Sequence, residues 1–422
     1  MRTILKNKTI VSWALYDWAN SAFATTVMAG FFPIFFKQYW DQSADSTVST
    51  FHLGFGNSVA SICLVLIAPL LGAIADRGML RKHFLLTFAS LGVLCTASLF
   101  WIGQGMWLPA ILCYSAALVG FMGANIFYDA LIVNVADPEK RDLVSSFGYA
   151  LGYLGGGLLF SLNVAMTIAP DFFGIDNAAQ AVRISFLSVA VWWAIFSIPL
   201  ILYVKDSGPV STHKGVSVFR EGFDQLLSTI RHLRQYRKTM IFLLAYWFYI
   251  DGVDTIVRMA VDYGLSLGLA QNDLIIALLI SQFVGFPATL GFGYIGQHLG
   301  NRIGLYIGLF CYILITVWAF FITQAWEFYA LAVAVGLVQG GVQSLSRSYY
   351  ASLIPADRQG EFFGFYNMMG KSAAILGPLI VGGVSVLTQS HRIGMLSVII
   401  LFVIGGVLFY LVNNKHESDN KL

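Results

Sequence analysis

From residue 10 to residue 413 the chain passes through one long apolar stretch after another, with short polar connectors between them. A helix needs about 20 apolar residues to cross about 30 Å of hydrocarbon, whereas a membrane strand needs about ten. Inside lipid the backbone must satisfy its own hydrogen bonds, so only helices and closed barrels can span it. The stretches are far longer than strands and lack strict alternation, so the chain reads as an all-α membrane protein. Composition agrees: 57% of residues are hydrophobic and 11% charged, with a mean hydropathy of +0.72, against about 25% charged residues in soluble domains. Twelve helices are expected, at 10–36, 51–75, 83–103, 108–133, 143–168, 183–204, 239–262, 272–296, 303–323, 326–348, 361–388 and 392–413. No substantial soluble domain remains.

The first stretch could be mistaken for a secretory signal, because Arg2, Lys6 and Lys8 precede it. It exceeds the 7–15 residues of a signal core and carries Asp17 and Asn20, so it reads as a retained first helix. The longest polar segment, 205–238, divides the chain into a six-helix bundle at 1–204 and another at 239–413, followed by a tail at 414–422. With both termini in the cytoplasm, twenty of the 25 Lys and Arg fall on that side, Lys37, Arg183 and Arg392 fall outside, and Arg258 and Lys371 lie within helices. This is the positive-inside asymmetry that sets orientation. The net charge of +3 therefore reflects topology, and no nucleic-acid partner is implied. The central segment is amphipathic around 219–233 and is expected on the inner membrane surface.

Cys63, Cys95, Cys113 and Cys311 all fall inside apolar segments without paired or metal-like spacing, and the seven histidines lie in or beside loops. Neither a metal site nor any other cofactor is expected, and no nucleotide-binding motif is present.

The two halves echo each other in order and spacing. Asp17-Trp-Ala-Asn20-Ser21 matches Asp251-Gly-Val-Asp254-Thr255, Gly72-Ala-Ile-Ala-Asp76-Arg77 matches Gly293-Tyr-Ile-Gly-Gln297-His298, and Phe147-Gly148-Tyr149 matches Phe363-Gly364-Phe365. Two homologous six-helix halves in one orientation are the arrangement of the major facilitator transporters, whose substrate site lies near the midplane between the halves.

Ionisable groups inside a membrane are costly and mark functional positions by default. In the first helix Asp17, Asn20, Ser21 and Thr25 share one face. In the seventh, Asp251, Asp254, Thr255 and Arg258 form a second polar stripe. Asp254 and Arg258 have the spacing and order of a favourable pair, which serves packing as readily as transport, and Asp251 is left for another partner. Lys371 lies at comparable depth in the eleventh helix. Tyr128 and Asp129, toward the inner end of the fourth helix, are candidate inner-gate residues. Arg347 at the inner end of the tenth reads as an anchor or gate charge. The Gly148–Gly152–Gly156 ladder reads as close packing that lets backbones slide as the halves rock.

Residues Gly72 to Lys82, "GAIADRGMLRK", resemble the loop between helices 2 and 3 that marks the major facilitator superfamily. Its chemistry is that of a latch. Asp76 can meet the N–H groups and dipole of a neighbouring helix end, while Arg77, Arg81 and Lys82 bind carboxylates or lipid phosphates. In the second half Gln297 and His298 replace the charged pair, and a weaker latch is expected there. "LYDWANSAF", "SSFGYALGYLGGG", "YIDGVDTI" and "GLVQGGVQSLSRS" resemble the vacuole-effluxer-like branch of the superfamily, named for a fungal autophagy-related exporter of amino acids and rich in bacterial members. The resemblance implies a transporter rather than an enzyme, in a bacterial inner (plasma) membrane, handling an amino-acid-like solute, with export as the direction.

The expected function is secondary transport of a small polar or zwitterionic solute by alternating access, coupled to protons through acids in a low-dielectric cavity. The expected partners are that solute, protons and membrane lipids, with the chain a monomer. An amphiphilic lipid-like or drug-like substrate is the alternative, favoured by an aromatic content of 15%. An intramembrane aspartyl protease and a non-transporting sensor are remote alternatives. The protease lacks its Gly-x-Gly-Asp context here.

Overall fold

The computed structural model describes residues 2–42, 46–78, 80–206, 216–231, 233–266, 271–355, 357–372 and 376–413. All regular structure among them is helical. Among the described residues, ten helices are long and apolar enough to cross a membrane: α1 (Lys8–Trp40), α3 (Arg81–Trp101), α4 (Trp107–Val135), α5 (Arg141–Ile168), α6 (Ala178–Tyr203), α7 (whose apolar span is Arg237–Val257), α8 (Asp273–Leu299), α9 (Asn301–Phe321), α10 (Ala325–Leu353) and α12 (His391–Val412). The helix α2 (Ser46–Gly78) and the two described pieces of α11, Gln359–Ser372 and Leu376–Thr388, complete the twelve.

Local chemistry sets several boundaries. The side chain of Asn7 accepts from the N–H groups of Thr9 and Ile10 and starts α1, and Asn177 does the same for α6, each satisfying an otherwise orphaned first-turn donor. At α10, Gln324 and Glu327 form a capping box. Between α8 and α9 the chain reverses at Gly300, whose φ of 89° suits glycine. Within α1 the winding loosens to a π-helix from Phe23 to Phe31 and again from Phe36 to Trp40, so the helix continues past the point where its apolar pattern reads as ending. Beyond the first loosened stretch, Phe32, Phe35, Phe36 and Trp40 are all buried, among Tyr114 and Phe186 of neighbouring helices.

Successive helices run up and down between two faces. On the terminal face, where α1 begins and α12 ends, Lys8 sits over Tyr203 and Arg302 over Tyr410. On the distal face Arg183 donates to the Phe100 carbonyl and Arg392 to that of Phe320. Large apolar side chains such as Leu94, Leu112, Phe310 and Val407 point outward. A girdle of this kind is suited to lipid tails and would be an aggregation hazard in water.

Two pairs of helices cross closely between the halves. α2 crosses α11, and α5 crosses α8. A methyl on Gly72 would strike the Gly360 carbonyl, and one on Gly293 would lie 2.7 Å from Ser146 Cβ. The glycine ladder of α5 is a site of close packing, as its spacing suggests, but with a partner in its own half: Gly148, Gly152 and Gly156 face Asp17, Ser21 and Thr25 of α1. The ladder therefore clamps α5 to α1 inside one half. The face of α5 turned to the other half carries Ser146, Tyr153 and Gly157, against Gly293, Gly285 and Gln282. The amphipathic helix Val216–Arg231 was expected on the membrane surface. It presents the buried Gln225 and Thr229 to α11 and its approach, where Gln225 donates to Glu361 at 2.7 Å and Arg358 donates to Thr229 at 2.9 Å.

Candidate functional site at the terminal face

One cluster gathers acids from the first half around a buried cation from the second. Arg347 comes from the lower part of α10 and is 1% exposed. Its guanidinium donates to Asp129 Oδ1 at 3.1 Å, to Asp17 Oδ2 at 3.5 Å, and to the hydroxyl and carbonyl oxygens of Ser145, both at 2.9 Å. Tyr128 donates to Asp17 at 2.7 Å, and Asn367 of α11 donates to Asp129 at 3.0 Å. Aromatic rings close the remaining sides: the guanidinium carbon lies 4.3 Å from the ring centroid of Tyr149, 4.8 Å from Trp13 and 5.4 Å from Tyr128. Trp13 is itself held, stacked on Tyr128 at 4.5 Å and donating to the Tyr128 carbonyl. Buried charge of this density survives only when paired and hydrogen-bonded, and every contact to Arg347 named here comes from the other half.

A second polar cluster ties α2 to the N-terminus of α11. Asp76 accepts from the backbone N–H groups of Gly360 and Glu361 at 2.8 and 2.9 Å, and from Arg81 at 2.8 Å. Arg81 also donates to Gln359 at 2.7 Å. A carboxylate on first-turn N–H groups meets both the orphan donors and the positive end of the helix dipole, and the fit depends on the close approach at Gly72. Lys82 turns elsewhere. It bonds the Ile201 and Val204 carbonyls at the end of α6, within its own half.

Across the bundle, where α5 meets α8, the acid sits on the opposite partner. Asp142, in the first turn of α5, accepts from Asn301 at 2.6 Å and from Ser348, while Arg141 donates to the Ala351 carbonyl at 3.2 Å. Gln297 and His298 are exposed.

The remaining sequence-predicted residues lie away from the Arg347 cluster or outside the description. Asn20 is buried and donates to Asn125 at 2.6 Å. The partner of Asp251 is the N-terminus of the outer α11 piece, where the Gly377 N–H lies 3.0 and 3.1 Å from its two oxygens and Thr255 adds a hydroxyl at 3.4 Å. Asp254 lies next along α7 and is half-buried. The side chains of Arg77, Arg258 and Lys371 lie outside the described residues. Trp13, Asp142, Ser145, Tyr149, Asn367 and the first turn of α11 were not singled out in the sequence. Ser145 and Tyr149 did lie within a quoted motif, but their partners are on α10.

A family model described as "Vacuole effluxer Atg22 like" matches residues 46–421. The chain belongs to the vacuole effluxer Atg22-like family. Among relatives of this effluxer-like chain, the uncharacterized MFS-type transporter YxiO of Bacillus subtilis is 38% identical over 97% of this chain and 95% of its own length. Autophagy-related protein 22 of Coccidioides immitis is 25% identical over 98% of this chain and 88% of its own. In fold, the effluxer-like chain superposes on the human organic anion transporter MFSD10 with a TM-score of 0.68 at 13% identity, covering 95% of this chain and 99% of that one. The proton:xylose symporter XylE also gives 0.68, at 12% identity and covering 96% and 94%. The chain is thus an integral membrane transporter of the MFS type and not an enzyme, which removes the aspartyl protease reading.

Proposed function

We propose that this transporter moves a small polar or zwitterionic, amino-acid-like solute by alternating access, in the direction of export and with coupling to protons. The two six-helix bundles, 1–204 and 239–413, act as the rocking bodies, and the terminal face, closed here, faces the cytoplasm of a bacterial inner membrane. The observation that carries the reading is the Arg347 cluster. Its bonds run between the halves and join a buried cation to two buried carboxylates, so the face parts along polar contacts that water or a polar solute can replace. An interdigitated apolar core would offer no such exchange. Opening removes the cation from Asp17 and Asp129, and a proton is one way to compensate carboxylates left in a partly dry site. The side-to-side excess of Lys and Arg supports the cytoplasmic placement.

Transport in proteoliposomes, across a panel of amino acids and amphiphiles with and without a proton gradient, tests the reading. Gradient-dependent movement of polar zwitterions is expected. If no solute moves under any gradient while the purified protein still binds ligand, the transport reading fails. Movement of amphiphiles alone overturns the substrate class.

A further inference from the structure

The surroundings of Arg347 form a receptor for a planar cation, built almost wholly from one half of the molecule. Trp13 and Asp17 come from α1, Tyr128 and Asp129 from α4, and Ser145 and Tyr149 from α5, which the glycine ladder holds against α1. Three aromatic faces, two carboxylates, one hydroxyl and one backbone carbonyl converge on a guanidinium that belongs to the other half. A guanidinium stacks on aromatic rings and forks onto oxygen acceptors in a way an ammonium cannot match. The α1 and α4 residues are bonded to one another, as Trp13 is to Tyr128 and Tyr128 to Asp17, and α5 is packed against α1, so the site has supports other than the arginine.

When the halves part at this face, Arg347 leaves with α10 and the receptor stays with the first half. Two buried carboxylates that lose the Arg347 guanidinium are costly to leave uncompensated. We propose that the vacated receptor binds the cationic end of the transported solute, with a guanidinium preferred over a primary ammonium, so that Arg347 and the solute exchange places in the transport cycle. The inference rests on the transport reading and adds the chemistry its substrate must carry. It also supplies a reason for gating. In the closed form Arg347 fills the receptor, so a cationic solute binds only the open form, and a ligand shifts an equilibrium only through such differential affinity.

Two measurements with methylguanidinium, methylammonium and neutral methylurea test it. In purified Arg347→Ala, methylguanidinium is expected to recover at least half of the lost thermal stability, methylammonium less and methylurea none, and the recovery is expected to vanish when Asp129→Asn is added. In the otherwise native chain, with the four cysteines replaced and spin labels on the exposed Glu139 and Ser352, methylguanidinium is expected to lengthen the distance between labels and methylurea to leave it unchanged. Equal effects of methylguanidinium and methylurea in both measurements overturn the proposal, as does label separation that follows pH alone and ignores every cation. If the receptor responds to guanidinium but proteoliposomes move nothing, the transport reading fails while the binding site stands.

Discussion

The two crossings that hold the terminal face shut share a backbone plan and differ in chemistry. At both, a glycine of an even-numbered helix lets another helix come close: Gly72 lies on Gly360, and Gly293 lies on Ser146. At the α2–α11 crossing a carboxylate sits on the bare N–H groups of a helix end with an arginine behind it. At the α5–α8 crossing the corresponding Gln297 is exposed, and an acid on the helix end itself, Asp142, reaches an amide and a hydroxyl. Duplication thus preserved the close approach, while the polar fastening changed sides: Asp142 meets neutral donors, and the cation beside it, Arg141, reaches a backbone carbonyl. The first crossing should be the stronger, since its buried carboxylate meets both a buried arginine and the positive end of a helix, while the acid at the second meets neutral donors.

The sharpest way to break this comparison is to neutralise the two acids. Asp76→Asn strands the buried Arg81 and turns an amide N–H toward helix donors, with an expected cost to the closed state of about 3–5 kcal/mol. Asp142→Asn keeps an acceptor for neutral donors and should cost about 1 kcal/mol. Distances between labels on Glu139 and Ser352, together with thermal unfolding, report both, and equal effects would end the claim of asymmetry. Next come the glycines. Gly72→Ala drives a methyl onto the Gly360 carbonyl oxygen and should cost about 3 kcal/mol, whereas Gly293→Ala brings one to 2.7 Å from Ser146 Cβ, which no rotamer change moves, for about 1–2 kcal/mol. The same label pair should separate in both, and further in the first.

Much of this was legible before any coordinates. The twelve apolar runs dictate the helices because lipid allows little else, and the repeat pairs the halves. Asp76 at a helix end, followed by basic residues, already pointed to contact with a neighbouring helix end, which it makes at Gly360 and Glu361. The partners were beyond local pattern. Nothing near Arg347 in the chain indicates Asp17 or Asp129, and Asn367 is an unremarked residue on an apolar helix. The glycine ladder misled because spacing shows that a backbone comes close without showing whose. The loosened winding of α1 is invisible to any reading that assumes 3.6 residues per turn.

Smaller effects separate fastenings between halves from those within one. Gln359→Ala removes a bond to Arg81 and should cost the closed state about 1 kcal/mol. Lys82→Ala cuts only α3 from the end of α6, so it should lower thermal stability by about 1 kcal/mol or less and leave the label distance unchanged. A change in that distance would show that Lys82 also acts across the halves.

The closed face also has a history within each molecule. Asp76 meets a backbone 284 positions later in the chain, and the cation for Asp129 arrives after 218 and for Asp17 after 330. During synthesis the first half is therefore inserted with three acids lacking their later partners, and contacts this distant in sequence form late. The fastening of the terminal face therefore waits until α10 and α11 have been made, and a chain truncated before α10 lacks Arg347.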